Sequence, residues 1–426
     1  MRRIFFSLLL FLGISIGAQF KIEVVSDRNL EGSEAFFYTL NGSKDVLVGK
    51  VLQKKGQWKL VYPKSYTGMM KIYFPEFNYN VNLVSENKDV AIRLTTEGDK
   101  ITEVIFSDEV NALMDEVQGL QMRKKNILPV LSQIKGYYKP SAPFYKNLNE
   151  EITRLSSTMP DVSVHPFIGY YTATYGRFLL QASEAGESNE EVLRFISNSG
   201  DYLETSGLMK PLLLTYLKNA GGVSPETAVQ NLLDEVNVET PRGQTVLSEL
   251  IDIFDAYGMT ALKEKYLTEA KNLKCTINER LASTLETNKR TEIGAKLPDY
   301  VFRSATNTKA KSIAAVKAKK KVLVFWSSTC SHCETELPKF IPYYEQMKRN
   351  GVEIIGLSFD SDKASYLAKA ESYPWINDSE LKGWYSSYGE LYNIHATPSY
   401  IILNENNVIL DKPEHFGEVI SSLDLK

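Results

Sequence analysis

The chain reads as three folded parts in series behind a leader: a β-sandwich over residues 19–105, an all-α region over 106–290 and an α/β domain over 291–426. Three observations predict this division. Short apolar runs broken by turn residues fill the first part, apolar residues at helical spacing fill the second, and strand-like and helix-like segments alternate in the third.

In the leader, Arg2 and Arg3 precede an apolar stretch from Ile4 to Ile16, followed by Gly17, Ala18 and Gln19. This is the pattern of a secretory signal peptide, residues 1–18, with cleavage near Ala18. The apolar stretch is shorter than the roughly 20 residues of a membrane span, although an uncleaved anchor is the alternative. No cysteine lies near the cleavage site to carry a lipid anchor. The expected location is the periplasm or cell envelope, where disulfides persist. With 3 cysteines in 426 residues, stability must come from ordinary cores, and 43% hydrophobic with 24% charged residues is normal globular composition. A formal net charge of -3 carries no basic excess for nucleic acid or an anionic membrane surface.

The first part holds the runs Phe20 to Val25, Ala35 to Leu40, Val46 to Leu52, Met70 to Phe74 and Val90 to Leu94. Turn signals such as Asn41-Gly42 and Glu97-Gly98 separate them. Its Tyr and Phe residues are read as core, since aromatics favour strands for packing alone. Ser107, read as an N-cap, then opens a helix with apolar residues at Val110, Leu113, Met114, Val117 and Leu120. Ser224-Pro225 and Thr240-Pro241 mark further helix starts, with a capping hydroxyl before a proline that has no N–H to satisfy. Cys275 falls in the stretch Leu262 to Leu281, read as helical, and is taken as a buried small apolar residue. No repeat period emerges.

Gly294 to Asp299 marks the next boundary, and the lysines at 309, 311, 317 and 319–321 read as a solvated loop and strand entry. Beyond them the order is strand Val322 to Trp326, a helix to about Arg349, strand Val352 to Phe359, a helix from about Asp362, strand Ser399 to Leu403, a turn at 404–407, strand Val408 to Leu410 and a final helix. Cys330-Ser331-His332-Cys333 stands between the first strand and its helix. A cysteine at a helix start meets unpaired backbone N–H groups and the favourable end of the helix dipole, which stabilise a thiolate. The second cysteine, one turn on, can displace a mixed disulfide formed by the first. The implied chemistry is dithiol/disulfide exchange.

The stretch VLVFWSSTCSHCETELPKF, with Pro338 five residues past Cys333, and the later ATPSYIIL together resemble the thioredoxin fold. Within it they resemble the secreted thiol-disulfide oxidoreductases of the TlpA/ResA type, over residues 292 to 426. The layout of β-rich start, helical middle and TlpA-like end is also similar to envelope proteins common in Bacteroidetes. The resemblance implies Cys330 as the attacking cysteine, Cys333 as the resolving one, and a cis Thr397-Pro398 loop lining the face that receives substrate backbone. Trp326 is expected under the active-site turn, or as simple core. The implied partners are protein thiols and disulfides of the envelope, with a membrane redox partner as a further expectation. No cofactor, metal or nucleic acid is called for. Substrate, direction of electron flow and oligomeric state do not carry over.

Three departures from the family stand out. The strand before the motif lacks the buried Asp of thioredoxin, leaving Asp360 or Asp362 as candidate proton acceptors for Cys333, against a plainer reading as turn and helix N-cap. The turn Asn404-Glu405-Asn406-Asn407 has Asn where the family has Gly, and Asn tolerates positive φ. Between the cysteines, Ser331-His332 lacks the usual Pro and shares with the oxidase DsbA a His before the second Cys. His332 is therefore expected to support the Cys330 thiolate and shift the couple toward oxidation. The competing reading from another class is an envelope binding or assembly protein whose thioredoxin-like domain is redox-inert. Zinc would need two more ligands than the Cys pair supplies, and a peroxidase of peroxiredoxin type would carry Thr where Ser327 stands.

Overall fold

The computed structural model describes residues 20–180 and 187–425, so the expected signal peptide lies outside the described residues. By packing, the described residues form two compact units. One takes those up to 180 together with Thr205–Gly207, the other Glu187–Glu204 with those from Leu208 onward.

The first unit opens with strands β1 (Phe20–Ser26), β2 (Glu34–Asn41), β3 (Lys44–Leu52), β4 (Gln57–Tyr62), β5 (Thr67–Phe74), β6 (Tyr79–Glu86), β7 (Val90–Glu97) and β8 (Lys100–Phe106). They form two four-stranded sheets, in the orders β4-β1-β7-β8 and β3-β2-β5-β6. Phe20, Ile22 and Val24 of one sheet share a single apolar core with Phe37, Ile72 and Phe74 of the other, which makes the pair a sandwich. Phe20, Phe37, Trp58, Tyr73 and Phe74 are buried core, whereas Tyr79 is exposed. The helix that follows, Glu109–Lys135, is capped by Asp108 rather than Ser107: the Asp108 carboxylate accepts from the Asn111 N–H at 2.9 Å. The Asn111 side chain in turn bridges both backbone groups of Val84 in β6, fixing the helix start to the sheet.

In the second unit the helices Pro225–Val236 and Pro241–Ala256 start where expected, with Ser224 and Thr240 as side-chain caps. The stretch expected to run helical from Leu262 to Leu281 is instead two helices, Thr260–Lys271 and Glu279–Arg290, the second capped by Asn278. Cys275 lies in the loop between them, half-buried, where the Gln244 amide reaches its sulfur at 3.3 Å; it is not a buried helical residue.

The C-terminal sheet comprises β9 (Lys320–Trp326), β10 (Val352–Ser358), β11 (Ile376–Ser379), β12 (Ser399–Asn404) and β13 (Ile409–Asp411), in the order β11-β10-β9-β12-β13. β9, β10 and β11 are parallel, β12 and β13 antiparallel to their neighbours. Alternate residues of β9 serve two cores: Val322, Val324 and Trp326 on one face, Leu323 and Phe325 on the other. Asn407 takes φ 62° in the turn before β13, the conformation for which Asn substitutes for Gly. The lysine run is not wholly solvated. Lys321 is buried, its ammonium donating to the Ile313 carbonyl at 3.0 Å and to Asn407 Oδ1 at 2.5 Å, and those two acceptors make the burial tolerable.

Candidate functional site

Parallel β9 and β10 deliver their C-terminal ends to one edge of the sheet, and antiparallel β12 starts from the same edge. Ligands of open α/β sheets collect at such an edge. Here the segments 327–333, 360–362 and 396–399 meet.

Cys330 is the N-cap of the helix Ser331–Glu336, where its sulfur accepts from the Cys333 N–H at 3.4 Å. Past that helix, a 3₁₀ turn Leu337–Phe340 containing Pro338 links to the helix Ile341–Arg349, so the α-helical run is interrupted at the proline. Thr397-Pro398 is cis, and the Cys330 thiol donates to the Thr397 carbonyl at 3.2 Å. The expected loop therefore does face the first cysteine. Cys330 is half-buried, whereas Cys333 is 1% exposed and packs in one core with Trp326, Leu337 and Phe340.

This asymmetry separates the two thiols. For Cys330, burial alone would raise the pKa; hydrogen bonds from the Thr397 side chain, from the Cys333 and His332 N–H groups and from the Cys333 side chain outweigh it, and the thiol stands below its ordinary value. Burial pushes Cys333 up to about 12, and the adjacent Cys330 sulfur adds to the rise.

The loop before the motif is held by Asp360, a residue just past β10 and 4% exposed. Its carboxylate accepts from Ser327 Oγ at 2.9 Å, from Ser328 N–H at 3.0 Å, from Ser328 Oγ at 2.8 Å and from Ser358 Oγ at 2.6 Å. Asp360 thus positions the approach to Cys330 rather than standing ready for Cys333. Asp362 caps the helix Lys363–Ala370 through the Ser365 N–H at 2.7 Å, the plainer of its two readings. The strongest influences on Cys333 come from burial, Ser327, Cys330 and Thr397, with no carboxylate among them. Sequence reasoning missed the clamp. Its signal was the hydroxyl residues Ser327, Ser328 and Ser358 flanking two strand ends that pair in register, with Trp326 opposite Ser358.

His332 is exposed, and its ring makes no hydrogen bond to another described residue; its backbone N–H is the group that acts on Cys330. Among the described residues no three His, Cys, Asp or Glu side chains gather as metal ligands.

The Redoxin family model matches residues 292–418. Over 121 residues the chain is 24% identical to the thiol-disulfide oxidoreductase ResA of Bacillus subtilis, covering 28% of this chain and 64% of that protein, less than two thirds of its length. To ResA of Geobacillus kaustophilus it is 25% identical over 135 residues, 30% of this chain and 74% of that one. Among solved structures, a domain of a possible thiol-disulfide isomerase from Cytophaga hutchinsonii aligns at 24% identity and TM-score 0.28, covering 31% of this chain and 91% of that chain. The C-terminal region is a thioredoxin-like redoxin domain, related at low identity to the ResA-type thiol-disulfide oxidoreductases.

Proposed function

We propose that the protein is a thiol-disulfide oxidoreductase of the periplasm or cell envelope, exchanging disulfides with envelope proteins through Cys330 and Cys333, with a membrane redox partner to reset the couple. The observation that carries this reading is the division of labour within the pair: a half-exposed Cys330 with a depressed pKa beside the cis-proline loop, and a buried Cys333 with a raised one.

The Cys330 thiolate attacks one sulfur of a substrate disulfide, forming a mixed disulfide and releasing the other substrate sulfur as thiolate. Cys333 then gives up its proton and attacks the Cys330 sulfur. The Cys330–Cys333 disulfide forms, the second substrate thiolate leaves, and two electrons have passed from the protein dithiol to the substrate. Starting from the oxidised protein, the same steps run in reverse. Thr397 and Pro398 receive the substrate backbone, which would sit over the dithiol. Groups that favour the Cys330 thiolate favour the reduced protein and so make its disulfide the stronger oxidant, by about 30 mV for each 1.4 kcal/mol. His332 takes part in this through its backbone N–H.

The test is trapping. Cys333→Ala should accumulate mixed disulfides with envelope proteins, because Cys330 attacks and nothing resolves; Cys330→Ala should trap none. If neither variant traps a partner and the native protein does not exchange with a small disulfide, the redox-inert binding or assembly role becomes the better account.

A further inference from the structure

Within the second unit, a cleft of about 530 Å³ lies between the helices Pro241–Ala256 and Thr260–Lys271 on one side and the segments around β12 and β13 on the other. Asp255, Lys263 and Leu267 line the first wall; His395, Pro398 and Lys412 line the second. Pro398 is the link to the chemistry: it borders this cleft, while the carbonyl of the residue before it lies 3.2 Å from the Cys330 sulfur. The cleft therefore borders the same cis-proline loop that the Cys330 sulfur contacts.

The charges of the cleft are unevenly satisfied. Asp255 is engaged by Lys263 at 2.7 Å and by the Asn393 amide, and His395 hydrogen-bonds Asn393 Oδ1 at 3.0 Å. Glu292 pairs with Lys271 at 3.6 Å, Glu414 sits 3.5 Å from the Thr260 hydroxyl, and Glu264 is exposed. Lys412 differs. The residue is half-buried, and its ammonium makes no hydrogen bond or ion pair with another described residue. Burial first, then the charge of Lys263, hold its pKa below the usual lysine value, with Asp255 and Glu264 offsetting part of that. A partly desolvated cation facing an open cleft is completed by an anion, and the chemically apt one is a carboxylate. A cleft of this size admits several residues rather than one ion.

We propose that this cleft binds an acidic residue of the substrate polypeptide, its carboxylate paired with Lys412 while a nearby cysteine of the same segment reaches Cys330. The inference rests on the thiol-disulfide reading above, and its test is arranged to separate the two. Binding is measured by titration calorimetry on the full chain carrying Cys330→Ser, which cannot form the mixed disulfide. Two peptides of one sequence are compared, with Glu or with Gln flanking a single blocked cysteine. The Glu peptide should bind on the order of tenfold more tightly, the size of one charge-assisted hydrogen bond. That ratio should fall to about one in Lys412→Met and in Lys412→Gln, and reverse in Lys412→Glu. Equal affinities for the two peptides, or a preference that survives loss of Lys412, would overturn the proposal. So would oxidised glutathione binding as tightly as the Glu peptide, since the cleft would then read any small carboxylate. Exchange by the native protein is assayed separately, so its failure would reject the thiol-disulfide reading whatever the titrations give.

Discussion

Strand β1 of the sandwich alternates buried residues with exposed or half-buried ones, while β10 of the C-terminal sheet is buried at every position. β1 borders one apolar layer; β10 sends Ile354 into one core and Ile355 with Leu357 into the other. A strand packed on both faces has no side chain to spare along its length, so chemistry is displaced to where it ends. The buried polar groups follow the same division. In the sandwich they tie turns together, as when the Gln53 amide donates to the Arg28 carbonyl at 3.2 Å or the Ser85 hydroxyl to the Tyr66 carbonyl at 2.7 Å. At the ends of β9 and β10 they converge instead on the loop that presents a thiol.

Two fully buried tryptophans put this contrast to the test with the largest expected effect. Trp58 packs against Phe74 in the sandwich; Trp326 packs against Tyr366 and Tyr373 beside Cys333. Either one changed to Ala should cost about 3–5 kcal/mol, read from denaturant unfolding. Only Trp326→Ala should also slow disulfide exchange at temperatures where the variant remains folded. A loss of exchange in Trp58→Ala as large as in Trp326→Ala would break the division between structural and chemical halves.

Next in size is the Asp360 clamp. Asp360→Ala leaves the Ser327, Ser328 and Ser358 donors without their shared acceptor, which should cost about 1–3 kcal/mol. It should also loosen the loop leading to Cys330, slowing alkylation of that thiol, and Asp360→Asn should recover part of both losses. If only stability falls and Cys330 reacts as before, Asp360 is a structural tie and positions nothing.

The tryptophans sharpen the comparison once more at smaller scale. The Trp58 indole N–H donates to the Ser33 carbonyl at 3.0 Å, whereas that of Trp326 has no partner among the described residues. Trp58→Phe should therefore be destabilising by about 1 kcal/mol more than Trp326→Phe. Equal losses would mean that the Ser33 hydrogen bond adds nothing.

The smallest effect is expected at His332, and two substitutions divide it. His332→Ala keeps the backbone N–H that acts on Cys330, so it should raise the Cys330 pKa only slightly. His332→Pro removes that N–H as well and should raise it more, with a matching fall in reduction potential of about 30 mV for each 1.4 kcal/mol. Equal shifts in the two variants would assign the effect to the imidazole.

How far the sequence could be read follows from what each feature depends on. The Ser224 and Thr240 caps, the positive φ of Asn407 and the placement of Cys330 ahead of a helix are local chemistry, and each was legible from a few neighbouring residues. The cis Thr397-Pro398 bond was legible as a motif. Other features required partners distant in sequence. β11, with the polar sequence INDS, is a strand because β10 pairs with it, and Lys321 is buried because Ile313 and Asn407 accept from it. Likewise Asp360 looked like a turn residue until the ends of β9 and β10 were brought side by side. The break around Cys275 escaped notice because apolar spacing continued across two helices.

The most direct test of the dithiol account is the pH dependence of alkylation in the reduced native protein, with iodoacetamide and each cysteine followed by peptide mass. A thiol reacts as its thiolate, so a lowered pKa moves the rise in rate to lower pH and a raised one removes it from the accessible range. Labelling of Cys330 should therefore rise at lower pH than that of an ordinary thiol, while Cys333, at about 12, stays unlabelled across the same range. Cys333 labelled ahead of Cys330, or Cys330 titrating at or above the ordinary value, would contradict the assignment of nucleophile and resolver.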